Sequence, residues 1–262
     1  MHLLHIIEKY KARNLEDYNF EISKLKMRLA TWAGSNDSIN IHESGSRAKG
    51  TAISISSDVD YFLSLSGNHH STLLSDTYES LYTELKKYYS AKKQNVSIRI
   101  ILHGKSLLTP PLEVDITPAR KQLGNTNDHT LYVLKKFSWK KTNIQKHIND
   151  IKNSRRTNEI KLLKIWRELH KLDFPSIYLE YLLIDVILNH KPVGAEHLNN
   201  NFLHMLSELA KTDNNPLLVS TIQDPANTSN TLSDLLTQNE KHSIYIAANK
   251  SLNKKHLNEI IW

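Results

Sequence analysis

Asp58 and Asp60 stand one residue apart in the run DVDYFLSL, and Asp115 stands in LEVDI. Side chains alternate across a strand. Asp58 and Asp60 therefore share one face, with Val59 and Tyr61 on the other. In the later run Leu112, Val114 and Ile116 share a face, and Glu113 and Asp115 share the opposite one. If the two strands are neighbours, Asp58, Asp60 and Asp115 converge. Three carboxylates held close together repel one another. A divalent cation relieves that repulsion, and hard oxygen ligands completed by phosphate oxygens and water suit Mg²⁺.

Ahead of the first pair lies SGSRAKG, residues 44–50, in a chain with only 7 glycines. A glycine lets the backbone approach a phosphate closely, and consecutive N–H groups with the Ser46 hydroxyl can cradle one. Arg47 and Lys49 add positive charge. A Gly-Ser turn alone is usually a hairpin, and an isolated D-x-D is usually a strand end at the surface. Both together, with a third acid on a second apolar strand, point to phosphate and metal chemistry. The GxxxxGK[ST] loop is absent.

The elements that must position these residues follow from periodicity. Residues 2–32 read as one or two helices. Gly34 to Ser38 breaks the pattern, and Ser38 to His42 is a strand candidate. Val59 to Leu65 is a strand, Leu73 to Tyr89 a helix, and Val96 to Leu102 an alternating strand. Leu112 to Ile116 is another strand, which Pro118 is expected to end. Lys141 to Leu172, Ile177 to Asn189 and residues 196–211 read as helical, so the character of the chain changes near 120–150.

The 262 residues carry a net charge of +7, and the pI is about 9.3. A basic surface attracts polyanions such as nucleotides. There are no cysteines, which excludes disulfides and thiolate metal sites and fits a reducing cytoplasm. No apolar run is long enough for a membrane span, and the start lacks the pattern of a signal peptide. The 14 histidines are scattered; His69-His70 reads as loop.

Gly45-Ser46, Asp58-Val59-Asp60 and Asp115 together resemble the polymerase-β-like nucleotidyltransferase superfamily. That resemblance implies two-metal transfer of a nucleotidyl group to a hydroxyl with release of pyrophosphate. Mg²⁺ or Mn²⁺ would be the cofactor, and Asp58, Asp60 and Asp115 would be at once metal ligands and catalytic residues. Phe137 to Ser154 resembles the segment that joins the two domains in the bacterial cyclic-oligonucleotide synthases of anti-phage signalling. Leu162 to Ile187 resembles the helix pair of those enzymes, of oligoadenylate synthases and of cyclic GMP-AMP synthase. IQDPANTSNTLSD, residues 222–234, is similar to a stretch they share with archaeal-type CCA-adding enzymes. The resemblance implies that Lys164 and Ser176 bind the donor triphosphate, together with Gly45 and Ser46. Ser176 follows Pro175 at a helix start, where free N–H groups favour an anion; a plain N-cap is the structural alternative.

The expected fold is α+β. Residues 1–135 form a nucleotidyltransferase domain with a mixed sheet and flanking helices, and residues 136–262 form a helical substrate-binding domain on which the N-terminal helix can pack. The expected partners are nucleoside triphosphates, with no obligatory nucleic acid and no membrane. The expected apo state is a cytoplasmic monomer that signals to a downstream effector. Two other readings stand beside this one: an enzyme that adds nucleotides to tRNA ends, and a nucleotide-binding pseudoenzyme, against which the presence of all three acids counts.

Overall fold

The computed structural model describes residues 2–34, 39–56, 58–66, 72–106, 108–124 and 126–262. His69-His70 and residues 35–38 of the expected break lie outside them. In chain order the first elements are α1 (His2–Lys9), α2 (Asn19–Ala33), β1 (Ile39–Ser44), α3 (Gly45–Lys49), β2 (Val59–Leu65), α4 (Leu74–Lys86), β3 (Ala91–Lys93), β4 (Ile98–Leu102) and β5 (Leu112–Lys121). They are followed by β6 (His129–Val133), β7 (Ser138–Thr142), α5 (Ile144–Ser154), α6 (Thr157–Leu169), α7 (Ser176–Leu182), α8 (Leu198–Leu209) and α9 (Pro216–Val219). The chain ends with β8 (Gln223–Asp224), β9 (Asn227–Thr231) and α10 (Gln238–Leu252).

These elements form two compact units, and the chain crosses between them several times. One comprises Arg13–Ala48 and Asp58–Ile148; the other comprises Met1–Ala12, Lys49–Ser57 and Asn149–Trp262.

The first unit is built on a sheet of seven strands among the described residues, ordered β1-β2-β5-β4-β3, with β6 added beside β5 and β7 beside β6. Only β2 and β5 run parallel; the other pairs are antiparallel. Ile22, Leu25 and Leu29 of α2 recur at helical spacing, as do Tyr78, Leu81 and Leu85 of α4. Both sets bury against Val59, Tyr61, Val114 and Ile116 on one face of the sheet. On the opposite face a smaller cluster of Phe62, Ala119, Leu131 and Val133 covers only the part of the sheet beyond the acids.

Two expectations need correction. Pro118 does not end β5, which runs on to Lys121. Pairing with β4 stops at Ile116 and pairing with β6 starts at Arg120. Pro118 stands between them, opposite neither strand, where its missing N–H leaves no ladder partner on that edge unsatisfied. Lys141, read as the start of a helix, belongs to β7, because Ser138–Thr142 pairs with β6 as a hairpin.

The second unit is mainly helical. Ile160, Leu163 and Trp166 of α6, Tyr178, Leu179 and Leu182 of α7, Phe202 and Met205 of α8 and Ile244 of α10 form one core, joined by Leu3 and Ile6 of α1. Ser-Ile-Tyr after Pro175 starts α7, which continues through a π-turn over Leu183–Ile187. A capping box starts α10: Thr237 Oγ1 accepts from the Glu240 N–H, and the Glu240 carboxylate accepts from the Thr237 N–H. None of the described helices is long and apolar enough to cross a membrane.

Candidate active site

Each acid owes its place to strand pairing. In the parallel register of β2 and β5, Asp60 lies directly beside Asp115, and Val59 beside Val114. The valines go into the core, so the aspartates face away from it. In β1, Ser44 stands opposite Asp60, and its hydroxyl donates to the Asp60 carbonyl at 3.3 Å. In β4, Arg99 stands opposite Asp115. One row of the sheet therefore reads Ser44, Asp60, Asp115, Arg99, and Asp58 precedes β2 at its edge.

Gly45 closes β1 and opens α3 with φ +61°, in the left-handed region, and a Cβ built there would run into the Asp60 carboxylate. Glycine is required twice over, by backbone conformation and by the close approach. Ser46 follows in the first turn of α3. Arg47 folds back instead of lying open. Its Nε is 3.4 Å from the Glu43 carboxylate, and its Nη atoms donate to the Arg13 carbonyl at 3.2 and 3.1 Å.

Sequence reasoning missed Arg99. Its Nε and Nη2 donate to the two carboxylate oxygens of Asp115, each at 2.8 Å. Nη2 also donates to Asp58, and Nη1 to Glu113. The alternation Ile98-Arg99-Ile100 put Arg99 on the polar face of its strand, but nothing local set that strand beside Asp115. Burial raises the Asp58 carboxyl above its ordinary pKa. Arg99 opposes that rise, and the Asp115 and Glu113 carboxylates add to it.

The donor types of Asp58, Asp60 and Asp115 suit a hard divalent cation. In the structure Asp58 and Asp115 serve a guanidinium, and among the described residues no three His, Asp or Glu side chains are grouped as a metal site.

The helical unit holds the other expected residues. Lys164 on α6 is 2% exposed, and its Nζ donates to Glu180 Oε1 at 2.7 Å and to Thr51 Oγ1 at 3.0 Å. Lys49 reaches the other oxygen, Glu180 Oε2, at 2.7 Å. Burial alone would raise the Glu180 carboxyl, but the two ammonium groups outweigh it and push the pKa down to about 2. Two lysines thus share one carboxylate. Ser176 is the first residue of α7 and makes no side-chain cap, because the cap position is Pro175. Its Oγ accepts from Arg167 Nη1 at 2.9 Å, which also donates to the Phe174 carbonyl at 2.7 Å. Lys164 and Ser176 therefore sit on adjacent helices with separate partners. Residues 222–234 contain the β8–β9 hairpin, where Asp224 accepts from the Ala226 N–H at 2.9 Å and from the Asn230 side chain at 3.2 Å.

No family model matches the chain. It is 26% identical over 249 residues to the cyclic AMP-AMP-AMP synthase of Escherichia coli (strain MS 115-1), covering 88% of this chain and 75% of that protein. The structure of E. coli MS115-1 CdnC with ATP superposes with a TM-score of 0.69 at 23% identity, covering 96% of this chain and 89% of that one. The Bradyrhizobium diazoefficiens CD-NTase CdnG in complex with GTP gives a TM-score of 0.69 at 12% identity, covering 91% and 84%. A mixed sheet carrying acids on paired strands, a helical second unit and these superpositions define the architecture: the chain has the nucleotidyltransferase fold of the bacterial CD-NTases.

Proposed function

We propose that the protein is a metal-dependent nucleotidyltransferase that joins nucleoside triphosphates into a small cyclic oligonucleotide, releasing pyrophosphate. The observation that carries this reading is the in-register pair Asp60–Asp115 with Asp58 beside it and the Gly45 backbone packed on the Asp60 carboxylate. It occurs in a chain similar to a cyclic AMP-AMP-AMP synthase.

In the transfer a ribose hydroxyl attacks the α-phosphorus of a donor triphosphate. The new O–P bond forms as the bond to pyrophosphate breaks, and the hydroxyl proton passes to a carboxylate, a role this reading gives to Asp115. Asp58, Asp60 and Asp115 are the residues that would hold Mg²⁺ or Mn²⁺. A cation held there would supply neutralisation of charge on the phosphoryl oxygens. Gly45 and Ser46 offer backbone and hydroxyl donors next to Asp60. In the helical unit, Lys49 and Lys164 share the single negative charge of Glu180, and the excess positive charge favours the phosphates of a nucleotide. Ser176, aligned by Arg167 at the start of α7, adds a hydroxyl. One active site makes a ring if the linear intermediate turns over and presents its own triphosphate. The product would be a messenger for a downstream effector in the cytoplasm.

The test is incubation of the purified protein with all four labelled nucleoside triphosphates and Mg²⁺ or Mn²⁺, with and without tRNA. A phosphatase-resistant product from nucleotides alone is expected. Label found only on added tRNA overturns the reading in favour of an RNA-end nucleotidyltransferase.

A further inference from the structure

Arg99 carries more than the proposed reaction asks of it. It sits between Ile98 and Ile100, both fully buried, so its backbone is fixed by the core. Strand pairing aims it at Asp115. Its fork grips both oxygens of that carboxylate and extends to Asp58 and Glu113. A guanidinium keeps its charge at any working pH and matches a carboxylate with two parallel donors. One permanent cation is thereby set among three carboxylates, two of which are the proposed metal ligands. Glu113 is outside that set and more exposed, with a side chain 46% accessible against 13% for Asp115.

We infer that Arg99 is a positioning residue that acts as the resident counter-cation of the acid cluster. It holds Asp58 and Asp115 together before a metal binds, and a divalent cation must take their oxygens from the guanidinium. Glu113 is the carboxylate that Arg99 keeps when the other two are given up. Metal affinity is then set by an exchange and is weaker than the carboxylates alone would support. A nucleotide that brings its own phosphate oxygens to the cation pulls the exchange forward, so the site loads with metal and nucleotide together. This inference rests on the assignment of the acids under the proposed function.

The experiment measures Mn²⁺ binding by calorimetry and electron paramagnetic resonance, without nucleotide, for the wild type, Arg99→Gln and Arg99→Lys, with melting curves at each Mn²⁺ concentration. Arg99→Gln is expected to melt lower than the wild type in the absence of metal, because three carboxylates lose their counter-charge. It is expected to bind Mn²⁺ about tenfold more tightly and to gain more melting temperature from Mn²⁺ than the wild type does. Arg99→Lys keeps the charge without the fork and is expected to fall between the two, so the comparison survives if Arg99→Gln fails to fold. A purely structural ion pair would lower the melting temperature and leave Mn²⁺ affinity unchanged; equal affinity in the wild type and Arg99→Lys, with normal product formation, overturns the inference alone. Absence of Mn²⁺ binding in every protein overturns the metal assignment of the acids along with it.

Discussion

Asp60 stands in the middle of the acid row. It has Asp115 beside it in the sheet, Ser44 across the other edge and the Gly45 backbone against its carboxylate. Replacing it with Asn keeps its volume and removes its charge. Turnover is expected to drop by about two orders of magnitude or more, with the fold retained in circular dichroism, because the swap creates no cavity. Product formation at the wild-type rate by the Asp58→Asn/Asp60→Asn double variant would sink the catalytic assignment. Gly45→Ala meets both the positive φ and the Asp60 carboxylate. A loss of about 1–3 kcal/mol is expected in denaturant unfolding, with a fall in turnover beyond what the lost folded fraction explains, because Asp60 must shift to make room.

At the scale of elements, α6 and α7 are tied together by one buried ion cluster. Glu180 on α7 is fully buried and satisfies Lys164 on α6 and Lys49 at the end of α3. Glu180→Gln leaves two ammonium groups around a neutral amide, and a destabilisation of about 3–5 kcal/mol is expected in urea unfolding, the usual result of breaking a buried pair. The sign of the pH dependence follows from the direction of the shift. A carboxyl with an ordinary value of 4.5 is held at about 2 in the folded protein. Its contribution is complete above pH 4.5 and is lost as the pH falls towards 2. Wild-type stability should therefore decline through that window more steeply than that of Glu180→Gln, as thermal melts across the range will show. Lys164→Ala is expected to weaken binding of a non-hydrolysable nucleotide by about 1.5–3 kcal/mol, the worth of a charge-assisted hydrogen bond. Unchanged affinity by calorimetry would confine Lys164 to its structural role beside Glu180.

For the whole molecule, the expected dependence on a divalent cation separates catalysis from folding. The hydrophobic clusters of both units include no residue of the acid row. Chelation with EDTA is therefore expected to abolish nucleotidyl transfer and to leave the circular dichroism spectrum in place. Loss of structure on chelation would point to a structural metal instead.

Much of this organisation was legible in the chain itself. Val59 to Leu65 and Leu112 to Ile116 declared their strands and their polar faces because alternation is a property of neighbouring residues. Helical character over Lys141 to Leu172 and residues 196–211 followed likewise from spacings of three and four, and the structure has α5, α6 and α8 there, with a break between α5 and α6. Gly45 announced a special backbone position because no other residue tolerates that conformation so readily. The hairpin of β6 and β7, the passage of β5 through Pro118, the place of Arg99 and the partners of Lys164 were not legible. Each depends on which distant segment lies alongside. Residue 99 meets residues 58 and 115 only when core packing sets the register of three strands, and Lys164 and Lys49 meet Glu180 only when α6, α7 and the end of α3 come together. Side-chain direction is fixed locally by backbone geometry, whereas the partner is chosen by burial of the opposite, apolar face. The sequence thus determined the chemistry on offer and the face that carries it, and the tertiary structure decided which charges meet.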